Sequence, residues 1–151
     1  MRPCRQGEPL SQRLIFDASG ILNLLRILGG RAPDVLRRGS TITLAFYEVG
    51  NALWRECSLL GRITSEEASK TIRTVFGLLQ TMNVVELKSE KIGDSILNLA
   101  IKLGITYYDA SYLAEAIRIG GVLVTDDEKL SKAAESIGLK TKTSREIIDR
   151  P

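Results

Sequence analysis

Histidine is absent from this chain of 151 residues. Its absence removes the commonest general base and the commonest transition-metal ligand. Any hydrolytic chemistry must then run on carboxylates, and any metal they hold should be a hard ion such as Mg²⁺ or Mn²⁺. Cysteine is nearly absent too. Cys4 falls in a polar N-terminal stretch and Cys57 in a helical one, so neither a structural disulfide nor a thiolate metal site is expected. Long apolar runs are also missing. None approaches the roughly 20 residues of a membrane span, and the first residues contain no signal-peptide core. The chain is therefore expected in the cytosol, with no membrane attachment.

What is present suffices for one core. A hydrophobic content of 44% over 151 residues supports one well-buried domain. Residues 1–12, polar with Pro3, Gly7 and Pro9, read as a flexible leader, and residues 13–150 as a single domain. The net charge of +3 and a pI near 9.0 are compatible with a polyanionic partner without requiring one.

The stretch Gly121-Val-Leu-Val-Thr-Asp-Asp-Glu-Lys-Leu130 organises the rest. Its apolar run reads as a strand covered on both faces, and it stops at Asp126 and Asp127 before a helical pattern begins. The same grammar occurs in Leu14-Ile-Phe-Asp-Ala-Ser-Gly20, which ends on Asp17. In an open parallel sheet, ligands sit beyond the carboxyl ends of such strands. Helical spacing predicts further helices over 18–28, 45–60, from Thr64 or Ser65 through Leu79, from Ser89 to Leu103, 109–119 and to Ile137, with a helical turn near Pro33. Strands are predicted at Thr41–Leu44, Asn83–Leu87 and, as an edge, Leu139–Lys142. The alternation predicts a three-layer α/β/α sandwich around a parallel sheet of four to five strands.

The carboxylates support two readings. Asp17, Asp109 and one of Asp126 and Asp127 each stand where a helix should start, and capping alone accounts for any of them taken singly. Glu48 does not fit that reading. It lies inside Leu44-Ala-Phe-Tyr-Glu-Val-Gly-Asn-Ala-Leu-Trp54, too deep for a cap, and an unpartnered buried carboxylate costs several kcal/mol. Arg55 is one conceivable partner, two turns away. Asn51, three residues on, projects from the same helix face and suggests a buried polar pair. Convergence of Asp17, Glu48, Asp109 and Asp127 would raise their pKa values unless a divalent cation joined them.

Together, Asp17-Ala-Ser19, Glu48-Val-Gly-Asn51, Tyr108-Asp109-Ala-Ser-Tyr-Leu-Ala114 and Thr125-Asp-Asp-Glu-Lys-Leu130 resemble the PIN domain, most closely its VapC-like toxin members. The motifs run in order from about Leu14 to the last helix. The resemblance implies metal-site acids at Asp17, Glu48, Asp109 and Asp127, with Asp126 the variable residue of Thr-x-Asp-x-x-Leu, still able to contribute. It implies supporting hydrogen bonds from Ser19, Asn51 and Thr125. It also implies a Mg²⁺- or Mn²⁺-dependent ribonuclease that leaves a 5′-phosphate and a 3′-hydroxyl, a small antitoxin partner and a homodimer.

In such chemistry one or two ions would activate water and neutralise phosphate charge. Without histidine, a carboxylate such as Asp127, or bulk water, must accept the proton. Arg26, Arg37, Arg38, Lys129, Lys132, Lys140, Lys142 and Arg145 are candidate phosphate contacts. Tyr107, Tyr108 and Tyr112 could stack on bases, although their spacing favours packing, and Trp54 is expected in the core. Leu59, Leu60, Phe76 and Leu79 give the helical pair over Ala45–Met82 more apolar surface than one sheet contact needs, and it is there that VapC-like proteins meet antitoxin and second copy. Three other readings compete: a haloacid-dehalogenase-like phosphatase, for which position 19 should be Asp and is Ser; a receiver-like domain, which lacks the acidic pair; and a non-catalytic PIN scaffold.

Overall fold

The computed structural model describes residues 12–149. The expected leader therefore lies, apart from Gln12, outside the described residues. Strand β1 (Leu14–Phe16) leads into helix α1 (Ala18–Leu28), short α2 (Ala32–Leu36), β2 (Ser40–Ile42) and α3 (Leu44–Trp54), which runs on as a π-helical turn, Arg55–Leu59. The chain continues through α4 (Ser65–Leu79), β3 (Asn83–Val85), α5 (Glu90–Leu103), α6 (Tyr107–Ile119), β4 (Val122–Val124), α7 (Glu128–Ser136), β5 (Thr141–Lys142) and α8 (Ser144–Ile148).

The five strands form one parallel sheet in the order β3-β2-β1-β4-β5. Leu14 pairs with Val122 and Phe16 with Val124, so the two central strands end at the same level. Strand order reverses between β1 and β4, and a crevice at their carboxyl ends follows. Alternation of side chains along each strand divides the core. Ile15 and Leu123 pack with Tyr112, Leu113, Leu130 and Ala134 on one face. Phe16 and Val124 pack with Ile21, Leu24, Leu36, Val49, Val75 and Leu79 on the other. Helices on both faces of one sheet give the three expected layers.

Local chemistry sets most boundaries. Gly29, at φ 53°, closes α1 in a backbone conformation that costs glycine least. The Thr64 hydroxyl accepts the Glu67 N–H while the Glu67 carboxylate accepts the Thr64 N–H, a reciprocal cap that fixes the start of α4. Three expectations require correction. The strand expected to Leu44 stops at Ile42 because Leu44 already opens α3, and that expected to Leu87 stops at Val85. Trp54 is 52% exposed, not in the core. Helix α3 buries Ala45, Val49 and Leu53, and Trp54 lies one residue, about 100°, beyond that stripe. Helix α8, too short for a visible period, went unpredicted. Among the described residues no helix is long and apolar enough to cross a membrane.

Candidate active site

Asp17 ends β1 and caps α1. Its Oδ1 accepts the Gly20 N–H and the Ser19 hydroxyl, each at 2.7 Å, and its Oδ2 accepts the Thr125 hydroxyl at 2.5 Å. Ser19 Oγ in turn accepts the Asp126 N–H, and Thr125 Oγ1 the Asp127 N–H, both at 3.1 Å. These bonds stitch the end of β1 to the turn after β4. Glycine at position 20 is required by this close approach, since a Cβ there would stand 2.8 Å from the Val124 carbonyl oxygen. Burial pushes the Asp17 carboxyl up to about 6, with the Asp126 charge adding to it and the hydrogen bonds from Thr125, Gly20 and Ser19 opposing it.

Glu48 borders the buried stripe of α3 and is half-buried. The partner it requires is Tyr112, whose hydroxyl donates to Glu48 Oε2 at 2.6 Å. Arg55 is not that partner, for Glu48 forms no ion pair among the described residues. Burial raises the Glu48 carboxyl, as do the charges of Asp109 and Asp17, while Tyr112 lowers it. Asn51, expected beside Glu48 on a buried face, is exposed. It follows Val49 by two residues, about 200° around the helix, and so points away from the core.

Asp109 is the third residue of α6 and not its cap. Thr106 has that role, its hydroxyl accepting the Asp109 N–H at 3.1 Å. Capping thus fails to explain Asp109, whose carboxyl is raised by burial and by Asp127, against the Thr106 hydroxyl and Lys129. Asp127 caps α7, with Oδ1 accepting the Leu130 N–H at 3.0 Å. Asp126 faces elsewhere: its oxygens accept from Asn23 Nδ2 at 2.9 Å and the Ser144 N–H at 3.0 Å, tying α1 and α8 to the turn after β4.

Asp17, Glu48, Asp109 and Asp127 stand on four separate elements, with Glu48 within electrostatic reach of Asp17 and Asp109, and Asp109 of Asp127. Among the described residues no three of them already have the spacing to hold a metal ion. Hydrogen bonds engage both Asp17 oxygens and one each of Glu48 and Asp127. The donor set is all oxygen, and the neighbouring charges that raise Glu48 and Asp109 are those a divalent cation would offset. By donor type, though not by present spacing, the set suits a hard divalent cation.

Residues 15–136 match the family model of the PIN domain. The chain belongs to the PIN domain family. Among curated PIN relatives, exonuclease VapC9 of Pyrobaculum aerophilum is 38% identical over 99 residues, covering 65% of this chain and 69% of its own. Ribonuclease VapC3 of the same organism is 34% identical over 125 residues, covering 80% and 93%. The crystal structure of PAE2754 from Pyrobaculum aerophilum superposes with a TM-score of 0.74 at 28% identity, covering 92% of this chain and 96% of that one. A toxin-antitoxin complex from Klebsiella pneumoniae shares the fold at 20% identity, with a TM-score of 0.58 over 87% of this chain and 97% of that one.

Around the four acids, this PIN domain has hydrogen-bond partners that the sequence did not reveal. Asn23 and Ser144 hold Asp126, and Tyr112 holds Glu48. The signal for Tyr112 was its position three residues after Asp109, on the same helix face. Among the basic candidates, Lys129 interacts with Asp109. Lys132 lines a cavity of about 200 Å³ with Thr125, Asp126 and Asp127. Arg26 and Arg37 instead line a groove of about 610 Å³ among α1, α2, α3 and α4, together with Leu22, Leu53, Ile63 and Leu78. Tyr47, unremarked in the sequence, is 77% exposed immediately before Glu48.

Proposed function

We propose that this chain is a Mg²⁺- or Mn²⁺-dependent endoribonuclease, the toxin of a VapBC-type toxin-antitoxin pair, acting in the cytosol. What supports the reading is the chain of electrostatic contacts from Asp17 through Glu48 and Asp109 to Asp127, together with the shared level at which β1 and β4 end. These four side chains would hold the cation. When bound, it supplies charge neutralisation at the phosphate and activation of water for attack. The protein's own contribution is positional. Ser19 and Thr125 fix both oxygens of Asp17, and the rigid pairing of β1 with β4 sets Asp17 beside the turn that carries Asp127. With no histidine in the chain, a carboxylate such as Asp127, exposed and with Oδ1 engaged by its cap, or bulk water would take the proton of the attacking water.

A phosphatase with Asp17 as nucleophile is disfavoured, because that scheme wants a second aspartate two residues on, and position 19 is Ser, whose hydroxyl donates to Asp17 Oδ1. The relatives' names include both a ribonuclease and an exonuclease. A circular RNA separates the two modes, since only an endonuclease can open it. Wild-type protein should linearise a circular RNA with Mg²⁺ and not with chelator, and Asp109→Asn should lose that activity. Cleavage that survives in Asp109→Asn, in a preparation free of other nucleases, would sink the proposal. The groove lined by Leu22, Leu53, Ile63 and Leu78 is the surface offered to an antitoxin segment. Exposed Trp54, Leu59 and Leu60 extend the apolar surface toward a second copy, which sedimentation measures.

A further inference from the structure

Tyr112 is, among the described residues, the largest fully buried side chain, 1% exposed, and its hydroxyl donates to a carboxylate. It stands one helical turn after Asp109 on α6 and reaches Glu48 on α3 at 2.6 Å. The Asp17 charge and the Ala18 amide of the β1–α1 junction both act on its hydroxyl. One phenol thus touches or faces three of the elements that supply the acids. Toward the Glu48 carboxylate, which can only accept, the phenol O–H is the donor.

We infer that Tyr112 is a positioning residue for the metal site: by donating to Glu48 Oε2 it fixes the rotation of that carboxylate and leaves Oε1 to face the cation. This rests on the nuclease reading above. The contact locks a side chain that otherwise could turn freely about its last torsion. Hydrogen bonds to ligating carboxylates are worth roughly 10–100-fold in metal affinity.

Tyr112→Phe keeps the ring in the core and removes the donor alone. Titration with Mn²⁺, followed by calorimetry, should show the variant binding roughly 10–100-fold more weakly than wild type, with KM for RNA unchanged and kcat lowered at subsaturating metal. Glu48→Gln should also bind weakly, and adding Tyr112→Phe to it should change little, because the two act through one contact. Equal Mn²⁺ affinity in wild type and Tyr112→Phe, or fully multiplicative losses in the double variant, would overturn the inference. Wild-type protein that takes up no Mn²⁺ overturns the nuclease reading itself. A triple variant, Tyr47→Phe, Tyr107→Phe and Tyr108→Phe, leaves Tyr112 the only tyrosine and needs no change at the contact. Its ¹³Cζ resonance should move on Mg²⁺ addition, and a resonance that stays fixed while metal binds refutes the role.

Discussion

Replacing Asp17 by Asn should make the metal-free protein more stable while abolishing its activity. Asp17 is 5% exposed, and its carboxyl is raised from 3.8 to about 6. That displacement of roughly two pH units, at about 1.4 kcal/mol each, means that the folded state resists the ionised form by about 3 kcal/mol. The sign follows from proton linkage. Between pH 3.8 and about 6 the folded chain holds a proton that the unfolded chain has released. The contribution of Asp17 is therefore full below the lower value and lost as pH rises through the upper one. Asparagine remains a good helix cap and carries no charge, but its amide cannot accept from Thr125 as Oδ2 does, a loss of about 1 kcal/mol. The net gain at pH 7.5 should be about 2 kcal/mol, or ~4–8 °C in melting temperature. Circular dichroism melts in chelator at pH 7.5 and pH 4.5 test this, with the advantage present at the first and nearly gone at the second. A variant that melts no higher than wild type at pH 7.5, or keeps its advantage undiminished at pH 4.5, would refute the reasoning. Added Mg²⁺ should stabilise the wild type and not the variant.

Two further substitutions probe the frame around that carboxylate. Gly20→Ala would set a Cβ 2.8 Å from the Val124 carbonyl and 3.3 Å from Asp17 Oδ1, so it should cost about 1–3 kcal/mol in chemical denaturation and reduce cleavage by shifting Asp17. Asp126→Ala removes the acceptor for Asn23 and the Ser144 N–H and should cost roughly 1.5–3 kcal/mol, with faster proteolysis at the C-terminus and nearly unchanged Mn²⁺ affinity. Strongly weakened metal binding in Asp126→Ala would instead make Asp126 a member of the cation site.

The order of elements was legible because most boundaries are set within a few residues of where they occur. Gly29 and Gly104 stop their helices in positive-φ backbone, and the Thr64–Glu67 pair starts one, all by interactions local in sequence. Glu48 was marked as a site residue by its apolar surroundings alone. Its partner was not legible, since Tyr112 lies 64 residues away and only the packing of α6 against β1 and β2 brings the two together. Trp54 misled for a related reason. An aromatic side chain in an apolar run reads as core, but burial in a helix follows angle, and Leu53 takes the inward position. Asn51 shared Glu48's face by spacing, yet a face that borders the core at one residue can leave it a turn later.

The two explanations offered for the aspartates turn out not to compete. Asp17 and Asp127 are helix caps in the full sense, each accepting an N–H from three residues ahead. A cap spends one lone pair of one oxygen, and a carboxylate has about four. It also holds the carboxylate at the end of a strand, where the helix that follows contributes partial positive charge from its amide end. Capping therefore fixes the acid's position at the sheet edge and leaves it able to accept a cation as well. Asp109, which does not cap, needs Thr106 to start its helix so that its own side chain is released toward Glu48 and Asp127. The same logic separates neighbours that the sequence could not rank. Asp126 accepts from Asn23 and the Ser144 N–H, which tie it to α1 and α8, whereas Asp127 accepts its cap on Oδ1 and acts electrostatically on Asp109.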